Sequence, residues 1–298
     1  VPVAPPEGPN MITATKTSGS QPMINLAVFD FDETLYDWIG HFVPALQAMI
    51  ESAAPSLDIS ADELRAQLKS VHEHYGNTEH PFALLETAAT RAKFGHLPRG
   101  QQWEALASAF EAFDSVRARN LKLYDDVEPA FACLRRAGIP IVGYTAATSV
   151  NISKRIKMLG LESAFDRTYA SAFTGMPHPD QDGPAGDDSP VVSLDEPKPS
   201  PQAIVRICAD AGVVPEQALF VGDSVSNDIL PAIEGGANAA LIRRDQESTV
   251  EWLPALLEVS HRRSDPSACV GDRLEQVPVV HSLLALWQYF EFPGVRQA

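Results

Sequence analysis

Residues 24–35 read INLAVFDFDETL, an apolar run followed at once by two carboxylates and a hydroxyl. The run from Ile24 to Phe29 predicts a short, buried parallel strand. Ligands of open α/β sheets bind beyond the carboxyl ends of the strands, which is where Asp30 and Asp32 would lie. Two like charges at this point do not stabilise a strand, because each raises the cost of ionising the other. An Asp-x-Asp pair also occurs in ordinary solvated turns, so its meaning depends on partners later in the chain.

The composition is that of a globular protein with an acidic balance. Hydrophobic residues make up 45% and charged residues 21% of the 298 positions, enough for one large domain or a domain with an insert. The 39 acidic against 23 basic residues give a net charge of −16. This balance argues against nucleic acid and anionic membrane surfaces as partners, since both select basic patches. No apolar run approaches the roughly 18 residues of a membrane span.

The cysteines and residues 1–22 give an expectation for the cellular location of the protein. The three cysteines are far apart in a long chain, which argues against a disulfide framework and favours a reducing cytoplasm. Residues 1–22 are rich in Pro, Gly, Ser and Thr and contain no apolar region of the secretory type. We interpret them as a flexible leader or an added segment.

The pattern of apolar residues divides the chain into two kinds of structure. Residues 38–120 show helical periodicity only, in about four amphipathic helices, and form a helical insert after the first strand. Strands and helices alternate over residues 121–262, which predicts crossover units and a mainly parallel sheet of the α/β class. Residues 23–37 would belong to the same sheet, and residues 263–298 would form a C-terminal extension with one helix.

The segment from Phe173 to Pro197 is rich in Pro, Gly and Asp and has no periodicity. Structureless segments of this length are functional or disordered. We interpret it as a mobile surface loop, with an ordered substrate contact as the alternative.

Later strand ends supply partners for the first two carboxylates. Thr145 follows a strand predicted over residues 139–144, and Lys198 immediately precedes a helix capped by Ser200. A strand over residues 218–221 ends in the sequence GDSVSND, which contains Asp223 and Asp228. Asp30 and Asp223 could share a hard cation through oxygen ligands, and Mg²⁺ suits a site that leaves positions for water and a phosphate. Such a cation would lower the cost of ionising both acids.

The ordered set Asp-x-Asp-x-Thr, strand-end Thr, Lys-Pro and Gly-Asp-Ser-x-x-Asn-Asp resembles the haloacid dehalogenase superfamily of phosphotransferases over about residues 24–243. The set as a whole is specific, whereas each piece alone is weak. The resemblance implies a Rossmann-like, mainly parallel core with an inserted α-helical cap. The helical insert at residues 38–120 lies where that family carries its C1-type cap.

The resemblance also implies chemical roles. Asp30 looks like the nucleophile that forms an aspartyl-phosphate, and Asp32 like the general acid that then becomes the base. Thr145 and Lys198 look like the pair that binds the phosphoryl group, with Lys198 also orienting Asp30.

The metal ligands implied by the resemblance are the carboxylates of Asp30 and Asp223 and the backbone carbonyl of Asp32, with Asp228 in support. The implied cofactor is Mg²⁺. Asp228 could equally compensate the charge of a helix N-terminus.

Two positions depart from the pattern of this family. Glu33 stands where many members have Gly, and we expect its side chain to point to solvent. Ala146 stands where Asn is frequent, which removes one amide donor from the site. The segment before Lys198 is also longer than a capped member needs.

The predicted function is Mg²⁺-dependent hydrolysis of a phosphomonoester, with a small phosphorylated metabolite as the substrate class. A phosphomutase of the same superfamily and a catalytically weak, phosphate-binding regulatory protein are the alternatives. A dehalogenase is disfavoured, because only an oxygen leaving group needs the acid Asp32. The sequence does not indicate the substrate or the oligomeric state.

Two further groups of residues are candidates for functional sites. His72, His74 and His80 lie near acidic residues, but they lack ligand spacing and are interpreted as solvated helix-end residues rather than a second metal site. Tyr36, Trp38 and His41 would lie near the hinge of the helical insert, where a substrate contact is the less favoured interpretation.

Overall fold

Seven parallel strands form one sheet with the order β4-β3-β2-β1-β5-β6-β7 in the part of the chain that the structure describes. This structure is a computed structural model, and it describes residues 21–173, 191–244, 247–261, 274 and 276–293. The predicted leader 1–22 thus lies almost wholly outside the described residues. The strands are β1 Leu26–Phe29, β2 Ile141–Thr148, β3 Arg167–Ser171, β4 Val191–Leu194, β5 Ala218–Gly222, β6 Asn238–Ile242 and β7 Val279–Val280.

The central strand β1 is buried on both faces. Ala27 and Phe29 point into one apolar cluster with Phe131, whereas Leu26 and Val28 point into another on the opposite face. A strand covered on both sides needs a continuous apolar run, which is what the sequence supplies. The α/β class, the mainly parallel sheet and the burial of the first strand are therefore confirmed, and the structure places this strand at the centre of the sheet.

Five helices follow from residue 127 onward in the described chain. They are α6 Val127–Arg136, α7 Ser149–Met158, α8 Pro201–Asp210, α9 Leu230–Glu234 and α10 Glu247–Val259. Ser200 caps α8 as the sequence predicts, since its Oγ accepts a hydrogen bond of 3.0 Å from the Ala203 amide. No described helix has the length and apolar character needed to cross a membrane.

The helical insert has an apolar core of its own. Its helices are α1 Trp38–Ser56, α2 Ala61–Tyr75, α3 Ala88–Phe94, α4 Arg99–Ala105 and α5 Ala107–Asn120, with a 3₁₀ turn at Ala83–Glu86. Ser60 caps α2, because its Oγ accepts a hydrogen bond of 3.1 Å from the Glu63 amide. The predicted fourth helix is divided into α4 and α5 at Leu106, which is buried and non-helical in its backbone angles.

Two segments differ from their predictions. The segment 173–197 is not structureless throughout, because Val191–Leu194 forms the edge strand β4; its residues 174–190 lie outside the described ones. In the C-terminal extension, Val279–Val280 forms the strand β7 and Leu283–Gln288 is a 3₁₀ helix rather than an α-helix. Both strands are short, begin with two valines and lie at the sheet edges, and pairing with a neighbour rather than local periodicity defines them.

The helix α10 packs on the helical insert instead of the sheet. Its Leu256 and Val259 are buried in the apolar cluster of the insert, and the Val259 carbonyl lies 2.8 Å from Nδ1 of His72. His72 and His80 are both buried, so the prediction that they are solvated is wrong. Burial lowers the pKa of His72 to about 4, which keeps its imidazole neutral. The predicted domain boundaries remain a prediction.

Candidate active site

The register of the sheet places the predicted residues at one edge. Phe29 pairs with Gly143 on one side and with Val221 on the other. The next positions along the strands are Asp30, Tyr144 and Gly222, each one residue before or at the start of the site sequence. The strand β2 does not end at Tyr144 as predicted but continues through Thr145 to Thr148. The Asp30 amide donates to the Val221 carbonyl at 2.9 Å, which fixes the start of the loop after β1.

Lys198 joins two of the acids. Its Nζ lies 2.7 Å from Asp30 Oδ1 and 2.6 Å from Asp228 Oδ1, and its side chain is only 2% exposed. Burial alone would lower the pKa of Lys198, but the carboxylates of Asp228 and Asp30 outweigh it and raise this pKa. The ammonium therefore stays charged, and it holds Asp30 in a fixed orientation.

The acids themselves crowd one another. Burial raises the pKa of Asp30 well above its ordinary value, with Asp228, Asp223 and Asp32 adding repulsion and Lys198 opposing it. Burial, followed by the charge of Asp228, raises the pKa of Asp223 to about 7. A cluster of this kind is electrostatically unfavourable without a cation.

The chemistry of the donor set fits a hard divalent cation. Asp30, Asp223 and Asp228 each offer a carboxylate oxygen within 4.8 Å of the others. Oxygen donors alone, with few carboxylates and room for further ligands, are what Mg²⁺ prefers. Asp228 is fixed by the Ser224 amide, which donates to its Oδ2 at 3.0 Å. A Cβ at Gly222 would come within 2.4 Å of the Asp228 carboxyl group, so a glycine is needed there. The individual ligand roles remain predictions, including that of the Asp32 carbonyl.

The raised pKa of Asp223 leads to a pH-dependent prediction for the metal-free protein. A carboxyl whose folded pKa exceeds its unfolded value of 3.8 binds its proton more tightly in the native state, so stability falls as pH rises from about 4 to about 7. We therefore expect Asp223→Asn to raise the Tm at pH 8 in EDTA by roughly 2–4 °C, corresponding to about 1 kcal/mol. At pH 4 the two proteins should melt alike.

Thermal melts monitored by circular dichroism at both pH values measure this effect. The exposed Asp125→Asn is the matched control and should leave the Tm unchanged at either pH. Adding Mg²⁺ at pH 8 should stabilise the wild type more than Asp223→Asn. A variant that is less stable than the wild type in EDTA at pH 8 would contradict this interpretation.

Asp32 has partners that the sequence analysis did not find. Its Oδ1 accepts a hydrogen bond of 2.7 Å from the Tyr36 hydroxyl and pairs with Nη1 of Arg155 from α7. Arg155 is 1% exposed and lies between Ile152 and Ile156 on the buried stripe of its helix. A charged residue in an apolar stripe is the signal that could have identified it.

Thr145 lies in a buried strand, whereas Glu33 contacts the start of helix α1. Thr145 is buried in β2, and its Oγ1 accepts from the Ala147 amide at 3.0 Å, so its role in binding a phosphoryl group remains a prediction. Glu33 does not point to solvent: its Oε1 accepts from the Ile39 amide at 3.0 Å, in the first turn of α1. Burial raises the pKa of Glu33 to about 7. The physical reason is that the first four backbone N–H groups of a helix have no partner within the helix and attract a nearby carboxylate.

The hinge residues are mostly used in packing. His41 is fully buried, with its ring centroid 5.6 Å from that of Tyr36 in an edge-on arrangement. Tyr36 is held by Asp32 and Arg155. This agrees with the sequence analysis, in which a substrate contact is the less favoured interpretation.

The fold and the site define an α/β enzyme whose polar groups converge at the carboxyl edge of a parallel sheet. The chain belongs to the haloacid dehalogenase-like hydrolase family, whose model matches residues 24–236. The resemblance inferred from the motifs is thereby confirmed, as is the prediction of a hydrolase. The C1 type of the cap remains a prediction.

Two relatives of known activity are similar to most of the chain. The glyceraldehyde 3-phosphate phosphatase of Methanopyrus kandleri is 28% identical over 235 residues, covering 77% of this chain and 88% of that protein. The phosphoglycolate phosphatase of Pasteurella multocida is 25% identical over 209 residues, covering 70% of this chain and 80% of that protein. Relatives named as phosphatases agree with the predicted enzyme class.

Solved structures share the fold. A HAD phosphatase from Thermococcus onnurineus superposes with a TM-score of 0.58 at 18% identity, covering 91% of this chain and 100% of that one. A 2-haloacid dehalogenase from Pseudomonas syringae pv. tomato gives a TM-score of 0.53 at 20% identity, covering 90% of this chain and 98% of that one. At these identities the two structures show that the fold is shared.

Proposed function

We propose that this protein is a Mg²⁺-dependent phosphomonoester hydrolase that acts on a small phosphorylated metabolite through an aspartyl-phosphate on Asp30. The observation that carries the proposal is the bridge of Lys198 between Asp30 and Asp228, beside the carboxylate of Asp223. A nucleophilic carboxylate held by an ammonium and accompanied by cation ligands suits attack on a phosphate. Without the ammonium and the cation, the same group of acids would repel the phosphate dianion.

The cation site would be formed by the carboxylates of Asp30, Asp223 and Asp228 and by the backbone carbonyl of Asp32. When bound, Mg²⁺ would offset the negative charges of these groups and of the substrate phosphate. It would also favour the ionised form of Asp30, whose pKa burial raises in the metal-free protein.

In the first half of the reaction, Asp30 attacks phosphorus. A bond forms between its carboxylate oxygen and phosphorus while the bond from phosphorus to the leaving oxygen breaks. Asp32 gives its proton to that oxygen, so the product leaves as an alcohol. Lys198 and Thr145 donate hydrogen bonds to the equatorial oxygens of the transferring group.

In the second half, the same residues release phosphate. Asp32, now ionised, takes a proton from a water molecule that attacks phosphorus. The bond between phosphorus and Asp30 breaks, and the free carboxylate is restored. Asp32 ends protonated, ready for the next substrate.

The helical insert at residues 38–120 acts as the cap in this proposal. It limits access to small substrates and excludes bulk water during transfer. The relatives named for glyceraldehyde 3-phosphate and phosphoglycolate support a small phosphorylated substrate and do not favour the phosphomutase or regulatory alternatives. A cytoplasmic location and the lack of nucleic-acid and membrane partners belong to the same proposal.

A phosphate-release screen tests this function. Triose phosphates, phosphoglycolate, sugar phosphates and nucleotides are incubated with the protein in Mg²⁺ and, separately, in EDTA. We expect release from at least one small phosphate in Mg²⁺ and a fall of at least about 100-fold in EDTA, because the cation contributes several kcal/mol to transition-state stabilisation. Absence of release from every compound in Mg²⁺ would overturn the proposal. Isomerisation of a sugar phosphate that depends on a bisphosphate would identify a mutase instead.

A further inference from the structure

A buried chain of charges links Asp32 to the helical insert. Arg155 of α7 contacts Asp32 and the Tyr36 hydroxyl through Nη1, and it contacts the carboxylate of Glu79 through Nη2. Arg155 is 1% exposed and the side chain of Glu79 is 12% exposed. One guanidinium thus joins a carboxylate of the core to a carboxylate of the insert.

Glu79 lies in the loop after α2, and a second contact attaches that loop to the same helix. The Glu79 backbone carbonyl accepts a hydrogen bond of 2.8 Å from the side-chain Nδ2 of Asn151, which lies one turn before Arg155 in α7. The side chain and the backbone of one residue are therefore both bound to α7. The contact between the insert and the core at this point is specific rather than a general apolar surface.

The geometry of the guanidinium explains why both arms matter. Arginine presents its donors in a rigid, planar fork, so a partner on one arm fixes the direction of the other. With Glu79 on Nη2, the direction of Nη1 towards Asp32 is set, and the Tyr36 hydroxyl completes the arrangement at 2.7 Å. Without Glu79, only the partners of Nη1 would hold the guanidinium, so its plane would be less firmly fixed.

We propose that Arg155 is a positioning residue that holds Asp32 in the orientation needed for proton transfer, and that Glu79 makes this hold depend on docking of the helical insert. The inference rests on the proposed function, because it assigns a support to the acid of that reaction. Undocking of the insert would remove Glu79 and loosen the acid, so proton transfer would be efficient only when the insert covers the site.

The dependence on leaving group distinguishes this role from a structural one. An alkoxide leaving group needs a proton from Asp32, whereas 4-nitrophenolate leaves readily without one. The ratio kcat/KM covers the steps up to leaving-group release, so the later hydrolysis of the aspartyl-phosphate does not affect it. Loss of Arg155 should therefore affect an alkyl phosphate much more than 4-nitrophenyl phosphate.

The experiment compares kcat/KM for the best alkyl phosphate of the screen and for 4-nitrophenyl phosphate. Arg155→Gln should lower the alkyl value by about 10²–10³-fold and the aryl value by less than about tenfold, within the range for general acid catalysis. Glu79→Gln should act in the same direction with about a tenfold loss on the alkyl substrate. Arg155→Lys should recover part of the loss, because it restores one charge but not the fork.

Lys154→Gln is the matched control. Lys154 neighbours Arg155 on α7 and also pairs with the insert through Asp114, but it is exposed. It should leave both kcat/KM values unchanged. Equal losses on the two substrates for Arg155→Gln and Glu79→Gln would overturn the inference and leave the proposed function intact.

Two further results need an interpretation of their own: a variant that does not fold, and a wild-type protein without activity. If Arg155→Gln does not fold, because Asp32 and Glu79 are left without their cation, the ratio of the two losses in Glu79→Gln decides the matter. An unchanged ratio in that folded variant overturns the inference. A wild-type protein that hydrolyses neither substrate overturns the proposed function and this inference together.

Discussion

Replacement of Asp30 by Asn is expected to lower kcat by roughly 10⁴–10⁶-fold, the loss seen when an enzyme is deprived of its nucleophile. In the proposed mechanism, the amide lacks the carboxylate oxygen that attacks phosphorus, and the cation site would have one ligand fewer. The fold should survive, because Asn has nearly the same shape and Lys198 keeps its second partner, Asp228, at 2.6 Å. Burial already disfavours a charge on the Asp30 side chain. Its replacement by an amide leaves no acid newly unpaired, because Asp228 keeps its contact with Lys198.

Phosphate release and a thermal melt measure the two parts of this prediction. Acid quenching during turnover should trap a phosphorylated wild-type protein and no phosphorylated Asp30→Asn. The matched control is Asp62→Asn, the same chemical change at a side chain 93% exposed on the insert, and it should keep full activity. An Asp30→Asn protein with activity near that of the wild type would exclude Asp30 as nucleophile.

Replacement of Lys198 by Met is expected to damage both stability and activity. It leaves Asp30 and Asp228 buried next to each other without their shared cation, and breaking a buried pair costs about 3–5 kcal/mol. Loss of a donor to the transferring group should lower kcat/KM by about 10²–10³-fold. Urea unfolding at pH 8 in EDTA and phosphate release in Mg²⁺ measure the two effects.

The double variant Lys198→Met with Asp228→Asn separates these effects. Removing one of the two unpaired acids should restore much of the stability, whereas activity should stay low, because neither the ammonium nor the supporting acid is present. Lys157→Met changes an exposed lysine of α7 and serves as the control. If Lys198→Met unfolds at the same urea concentration as the wild type, the bridge of Lys198 does not stabilise the site.

Much of the core could be predicted from local patterns. The apolar run before Asp30 defines a strand buried on both faces, and the helix that begins after Ser200 carries its own cap. Asp30 and Asp223 each follow a strand and Thr145 lies within one, so the sheet register brings these three towards one edge. Lys198 and Asp228 lie outside the strands and reach the same place through their contacts with each other and with Asp30. Their roles in chemistry remain predictions that the variants above test.

The edge strands and the packing of α10 could not be predicted in the same way. Val279–Val280 is too short for a periodic signal, and Val191–Leu194 lies in a segment that shows no periodicity. Their neighbours in the sheet determine the conformation of both. The helix α10 has an apolar face, but nothing along the chain states that the face meets the insert and not the sheet. Burial of apolar surface is non-directional, so several partners satisfy the same face.

The sequence by itself determined that Asp30 and Asp32 follow a buried strand, because a continuous apolar run is a local property of the chain. Only the tertiary structure decided which groups hold Asp32. Arg155 is 123 positions away from Asp32 and 76 from Glu79, and charge attraction between such distant side chains depends on their separation in space. No spacing along the chain encodes that separation.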